Sequence, residues 1–409
     1  MKILLIHQYY LEDNDFGASR WNEITKVWIE EGHDITVLAG MMHYNGTEKR
    51  AEYKGKWFKE NYQHKVRVLR THVSENYNSS FHGRLFAYFS FVFSSLWSGI
   101  FKTKEKYDVI IVTSPPLFVG ITAYLLSRIK RVPFIFEIRD LWPESAIDTG
   151  VLNNKWIIKL ALSFEKFIYE KASKIIVLTP AFKQILIEKK NIKESKIELI
   201  PNAADFALSD NLLATFDTNN FKKELDLEGK FIITYVGAHG VANHLDQILD
   251  VAEKMMNTNA YFLLIGEGME KKRLIVESNK RKISNIKFID AVSKKDVFKY
   301  ILISDLGASV LKKVETFKTV YSNKTFDYMS CKKPIIMAID GVSRKLVEDA
   351  NAGTYVEPEN PDEMVECILK YMKNPEIIYE QGESGYSFAK KNFDRQILAK
   401  KYILAIEKN

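Results

Sequence analysis

Thirteen short apolar runs, most of them set apart by segments long enough to form a helix, limit the folds open to this chain more than any other feature. They are Ile3–Ile6, Ile35–Leu38, Val66–Leu69, Val109–Val112, Phe134–Phe136, Ile175–Leu178, Ile197–Ile200, Phe231–Val236, Phe262–Ile265, Ile286–Ile289, Leu306–Val310, Pro334–Ile339 and Thr354–Val356. Most are continuous rather than alternating. Continuous apolar strands between helices belong to parallel sheets covered on both faces. Val66–Leu69, Ile197–Ile200 and Ile286–Ile289 alternate, which suits edge strands. The polar, weakly periodic stretch Asp205–Lys230 divides the runs and reads as a linker. The chain has 409 residues, too many for one ordinary core. Two doubly wound α/β domains follow. In such sheets ligands bind beyond the carboxyl ends of the strands, so the functional residues are expected just after the runs.

Charged residues are 27% and hydrophobic ones 46% of the chain, which excludes a disordered polymer. Two cysteines, Cys331 and Cys367, cannot build a disulfide framework or a zinc cluster. The apolar start, Ile3–Ile6, is too short for a signal peptide, so a cytoplasmic location is expected. The net charge is +7, and all of it lies in residues 1–200. Its densest part, Glu48–Arg70, holds eight basic residues against three acidic ones. Such a stretch is either a partner site for anions or a solvated loop. It carries no nucleic-acid-binding motif.

Leu85–Phe101 is uncharged and rich in aromatics. As a helix it is about 25 Å long, short of the ~30 Å bilayer core. Ser90, Ser94 and Ser98 form a small-residue row beside Phe89, Phe93 and Trp97. A covering helix of the first domain is expected. The alternatives are a helix dipping into a membrane or a true span. The basic stretch shortly before it favours peripheral contact with the inner membrane face, because anchoring combines apolar and cationic elements.

Several segments at predicted strand ends carry polar or glycine residues. Gly17 stands in a small-residue turn before a helix beginning at Arg20, where backbone amides could approach an anion. The turn is not GxGxxG, so a nicotinamide cofactor is not indicated. After Phe134–Phe136 come Glu137, Arg139, Asp140 and Glu144, costly to bury unless paired or used. After Phe231–Val236 come Gly237, His239 and Gly240, and after Phe262–Ile265 come Gly266 and Gly268. Ser322 is a candidate cap for a helix bounded by Pro334. On that helix Lys324 and Asp327 share a face, as a phosphate and ribose contact or as a surface salt pair.

Taken together, GASR at 17–20, TSPPL at 113–117, EIRDLWPES at 137–145, KASKIIVLTPAFKQIL at 171–186, KIELIPNAAD at 196–205, YVGAHG at 235–240, LIGEG at 264–268 and SNKTFDYMSCKKPII at 322–336 resemble the family-4 retaining glycosyltransferases. Within them the chain is similar to the bacterial L-fucosaminyltransferase-like branch of surface-polysaccharide synthesis. The resemblance implies a GT-B fold, two Rossmann-like domains facing across a cleft. Residues 1–204 would bind the acceptor and 205–391 the nucleotide sugar, with 392–409 packing back on the first domain. By match Asp327 takes the ribose-contacting position of the second glutamate of the E-x7-E motif, whose first position falls on Thr319. Arg139 takes the place of the usual histidine. The usual diphosphate-clamping Arg and Lys fall on Ala238 and Asn243. Lys324, Arg139 and the amides near Gly240 and Asn323 are the expected substitutes.

The implied chemistry is departure of a nucleoside diphosphate, with UDP the expected nucleotide, from a sugar that passes to a glycan or polyprenyl-diphosphate-linked acceptor in O-antigen or capsule synthesis. The leaving charge needs stabilisation. Arg139, Asp140 and Lys324 are the expected catalytic groups, and Glu137 and Ser114 the acceptor-side residues. No DxD-type ligand pair stands out, so neither metal nor cofactor is expected. A nucleotide-sugar 2-epimerase on the same fold is the alternative. A non-enzymatic nucleotide-sugar binder is a third reading.

Overall fold

The computed structural model describes residues 1–12, 15, 20–42, 49–78, 81–148, 150 and 152–407. The chain divides into two compact units, Met1–Pro201 with Gln396–Asn409, and Asn202–Arg395. Each is a sheet of mostly parallel strands between helices.

The first sheet holds β1 (Lys2–Ile6), β2 (Asp34–Gly40), β3 (Phe58–Gln63), β4 (Val66–Thr71), β5 (Val109–Ser114), β6 (Phe134–Ile138), β7 (Lys174–Val177) and β8 (Ile197–Leu199). Their order is β3-β4-β2-β1-β5-β6-β7-β8. All neighbours are parallel except β3, which runs antiparallel to β4. The central strands are buried throughout apart from Lys2 at the start of β1, as their continuous apolar sequences require. Two expectations change here. Val66–Leu69 is not an edge, because β3 lies outside it. The sequence of β3, FKENYQ, is too polar to register as a buried strand, and its edge position explains why.

The basic stretch is folded into this hairpin rather than left as an open cationic loop. Arg50 pairs with Asp15 and Lys59 with Glu52. Arg67 pairs with Glu60 and Glu105 at 2.7 and 2.8 Å. Arg70 is buried and pairs with Glu12 at 3.1 Å. Lys49 is also buried, 2.8 Å from His72 Nδ1. Four of the eight basic residues, Arg50, Lys59, Arg67 and Arg70, are thus paired with carboxylates of the same unit.

Phe81–Phe101 is one helix, and no helix among the described residues is long and apolar enough to cross a membrane. Its small-residue row faces inward. Ser94, Ser95 and Ser98 are wholly buried, with Ser94 Oγ donating to His72 O at 2.6 Å and Ser95 Oγ 3.1 Å from Thr122 Oγ1. Phe86, Phe93, Trp97 and Phe101 remain exposed. The helix Arg395–Glu407 contributes to this unit from residue 396 onward. There the Trp28 indole donates to Ala399 O at 2.9 Å, and Lys174 to Ala405 O at 2.8 Å.

The second sheet holds β9 (Phe231–Val236), β10 (Ala260–Ile265), β11 (Ile286–Ile289), β12 (Leu306–Val310), β13 (Ile335–Ala338) and β14 (Gly353–Tyr355), in the order β11-β10-β9-β12-β13-β14. All are parallel. The order reverses between β9 and β12, so the ligand crevice of this unit belongs there. The expected linker Asp205–Lys230 is instead part of this unit. It forms the helices Phe206–Thr215 and Thr218–Glu224, capped by the carboxylates of Asp205 and Asp217. Phe206, Ser209 and Leu212 are the buried side of the first. Three short buried contacts leave too weak a periodic signal for the sequence to show it.

Candidate functional site

In the second unit β9 and β12 pair only at Ile233–Leu306 and Thr234–Gly307. Beyond that point they separate, and two of the sequence-predicted donor residues, Gly237 and Lys324, meet beside Tyr235 there. Gly237 follows β9, and the helix Asn323–Ser330 begins beside it. The Lys324 ammonium lies 4.8 Å from the centre of the Tyr235 ring, and its hydrogen bond is to Ser322 Oγ at 3.4 Å. A Cβ on Gly237, whose φ is +143°, would sit 3.3 Å from Lys324 Cε. Glycine thus keeps this side of the lysine clear.

Lys324 is half-buried and has no carboxylate partner among the described residues. The surface salt pair with Asp327 is not formed. Burial lowers the Lys324 ammonium to about 8, with Asp327 opposing that shift from a distance. Burial also raises Asp327, against the pull of Lys294, Arg395 and Lys324. Ser322 holds the cap position, but its hydroxyl caps no amide. It accepts instead from Ser309 Oγ at 2.7 Å. Thr325 N donates to Ser322 O at 3.1 Å, but the Asn323 and Lys324 amides have no partner among the described residues, at a positive terminus already reinforced by a lysine. Asn323 is exposed, and its amide oxygen accepts from Asn202.

The other donor-side residues separate by role. A Cβ on Gly266 would lie 1.9 Å from Gly237 O, and one on Gly268 2.3 Å from His239 O. These two glycines let the loops after β9 and β10 touch. His239 is wholly buried, and its backbone is fixed by His239 N to Glu267 O at 2.8 Å and Glu270 N to His239 O at 2.9 Å. Its ring packs near Tyr235 and Phe288 rather than toward solvent, with neither nitrogen hydrogen-bonded among the described residues. Burial, then Lys271, pushes the imidazole down to about 4, so it is neutral at pH 7. At Gly240 a Cβ would meet only Asn243 Oδ1, at an ordinary 3.5 Å. Gly17 lies outside the described residues.

In the first unit Arg139 and Asp140 follow β6, and Ser114 ends β5, its carbonyl accepting the Arg139 amide at 3.2 Å. Glu137 is fully buried and pairs with Arg20 at 3.0 Å. Arg20 also donates to Pro201 O and Ile200 O at 2.6 and 3.0 Å. The full burial of Glu137 against Arg20 speaks against the expected direct acceptor contact. Arg139 is half-buried, and among the described residues its guanidinium makes no hydrogen bond or ion pair. Burial lowers it, partly offset by the nearby Glu137 charge. Asp140 accepts from Ser145 Oγ at 2.8 Å, and burial raises its carboxyl.

Sequence reasoning missed His7, the first residue after β1. It is 4% exposed, with Nδ1 unpartnered among the described residues, and burial, then Arg139 and Arg70, keep it neutral. Its place directly after an apolar run was the available signal.

Residues 17–203 match the Glycosyl transferase 4-like domain, and residues 216–388 match Glycosyl transferases group 1. WcaI of Escherichia coli K12, named as a colanic acid biosynthesis glycosyl transferase, is 20% identical over 98% of this chain and 99% of its own. The crystal structure of Anabaena HepE in complex with UDP-glucose superposes with a TM-score of 0.73 at 17% identity, covering 100% of both chains. WaaG, described as a glycosyltransferase involved in lipopolysaccharide biosynthesis, superposes at 0.69 with 15% identity and 99% of each chain. These likenesses establish the GT-B fold. With one glycosyl transferase family model matching each half, the chain belongs to the family-4-like glycosyltransferases.

Proposed function

We propose that the second unit binds a UDP-sugar where β9 and β12 part, and that the sugar passes with retention of configuration to an acceptor held by the first unit. One observation carries this reading. Lys324 is a half-buried cation without a carboxylate partner, at the open N-terminus of a helix and beside a glycine loop. A diphosphate would supply both the charge and the hydrogen-bond acceptors that this terminus lacks. Asp327, one turn in, is then placed for the ribose hydroxyls. Arg139, whose guanidinium makes no ion pair among the described residues, is the proposed catalytic cation of the first unit. Asp140 would orient the acceptor. The UDP-glucose in HepE and the colanic acid assignment of WcaI support a nucleotide-sugar donor and a glycan acceptor in surface-polysaccharide synthesis, and a lipid-linked form of that acceptor is part of the proposal. The resemblance to the fucosaminyltransferase-like branch favours an N-acetylated amino sugar. Transferase relatives support transfer over epimerisation.

Because protonated Lys324 is the binding form, UDP affinity should fall as pH rises through about 8. The charged and titratable groups facing it are Asp327 on its own helix and Tyr235 on β9, the latter raised by burial and so neutral throughout. From pH 7 to pH 9 the protonated fraction drops about tenfold, and UDP affinity measured by calorimetry should follow. A flat profile would remove the lysine from the diphosphate site.

For the acceptor side we infer peripheral contact with the inner membrane face through the exposed aromatics Phe86, Phe93, Trp97 and Phe101, with Lys102 packed over Trp97 and Phe58. Since the contact is through these aromatics and four of the eight basic residues of the stretch are paired, salt should weaken it only modestly. Co-sedimentation with anionic vesicles should persist at ~0.5 M salt, where the Debye length is only about 4 Å, and drop on Phe93→Ser with Trp97→Ser. Complete release by salt would return the contact to the basic stretch.

A further inference from the structure

The split between β9 and β12 is bridged by one hydroxyl group. Tyr328, on the helix that carries Lys324 and Asp327, is fully buried. Its hydroxyl accepts from Val236 N at 3.1 Å, and its single proton faces Thr234 O at 2.9 Å and Ala308 O at 3.1 Å. Thr234 and Val236 belong to β9, and Ala308 to β12. Val236 N and Ala308 O are groups that a continuous parallel ladder would have joined directly, with Thr234 O left to an amide of β12. The two strands still pair outward, β9 with β10 as far as Val236–Ile265 and β12 with β13 as far as Val310–Ala338. The sheet is therefore opened at one place, and a side chain takes the place of the missing rung. Gly307 makes room for it, since a Cβ there would lie 2.5 Å from the Tyr328 ring.

We infer that Tyr328 is a positioning residue that fixes the Lys324 helix to the open ends of β9 and β12. The inference rests on the diphosphate reading of Lys324. Tyr328 touches the same strand from which Tyr235 and Gly237 define the lysine's surroundings, one residue before the glycine loop begins. Without the hydroxyl, Val236 N loses its buried partner and the helix loses its hydroxyl tie to β9, leaving the Ser309 Oγ to Ser322 Oγ bond at 2.7 Å as a tie to β12. The lysine then sits less closely over Tyr235, and solvent reaches it more easily.

The test is Tyr328→Phe, which keeps the ring and removes the hydroxyl, read by UDP calorimetry from pH 7 to pH 10 on the full chain. Affinity at pH 7 should fall about fivefold, and the midpoint near 8 should move up toward the ordinary lysine range as burial is relieved. A folded variant with unchanged affinity overturns the inference. So does reduced affinity with an unmoved midpoint, because a purely structural loss would not alter the lysine's titration. Gly307→Ala displaces the ring while leaving the hydroxyl in the sequence, and should give the same shift if Tyr328→Phe fails to fold. Lys324→Met, measured alongside, separates the two claims. Full UDP affinity in that variant overturns the diphosphate reading and this inference with it. Loss there, with wild-type behaviour in Tyr328→Phe, overturns this inference alone.

Discussion

Lys324→Met should lower turnover of a UDP-sugar about 100-fold, equivalent to about 2.7 kcal/mol of transition-state stabilisation. The substitution keeps an unbranched side chain of similar length over the Tyr235 ring and removes only the charge. Methionine can also pack against that ring, so the fold should hold. The expected loss is large because the ammonium has no carboxylate of its own to neutralise it. Its interaction with the Ser322 hydroxyl, at 3.4 Å, is weak enough to yield to a phosphate. The charge that develops on the leaving diphosphate is therefore its proper partner, in a half-buried setting where screening by water is reduced. Steady-state kinetics with unchanged kcat and KM would show that the lysine serves the fold alone. Arg139→Ala offers the contrast. It should reduce kcat about tenfold while leaving UDP affinity unchanged, since the nucleotide is assigned to the other unit.

Gly266→Ala should be the most damaging small substitution near the site, at about 3 kcal/mol of stability of the second unit. The new methyl would stand 1.9 Å from the Gly237 carbonyl, a backbone atom with no rotamer to change. The φ of +147° adds strain, since side chains rarely adopt it. Relief would require parting the loops after β9 and β10, which His239 N to Glu267 O and Glu270 N to His239 O hold together. Gly240→Ala is the internal control. There the methyl meets Asn243 Oδ1 at 3.5 Å and φ is −110°, so a change within about 0.5 kcal/mol is expected. Urea unfolding of the two variants should separate them clearly. Equal stability would show that the loops can move apart freely.

The two glycines also mark where the sequence stopped being legible. Gly237, Gly240, Gly266 and Gly268 read alike as backbone openings for a ligand. Only coordinates distinguish a glycine that a neighbouring loop requires from one that merely tolerates a side chain. His239 was open to a ligand-contact reading for the same reason, and burial settles its side chain inside the loop pair. Lys324 and Asp327 were placed on one helix by their spacing, which is local information. Their failure to pair, and the Tyr235 ring beneath the ammonium, depend on a strand 89 residues earlier. Strands came through well because burial on both faces writes itself as continuous apolar sequence. The strand that did not come through, β3, has only one sheet neighbour and carries Lys59 and Glu60. The positive stretch around it misled because net charge counts residues, whereas Glu12, Asp15 and Glu105, which neutralise three of its arginines, lie outside it.

The central claim is that Lys324 and its helix terminus recognise a diphosphate. Calorimetric titration of wild type and Lys324→Met with UDP and with uridine at pH 7 tests it most directly. Wild type should bind UDP at least about tenfold more tightly than uridine, a preference of about 1.4 kcal/mol or more that comes from the diphosphate alone. In Lys324→Met that preference should fall to about threefold or less, while uridine affinity stays as it was. An undiminished preference for UDP in the variant would contradict the account.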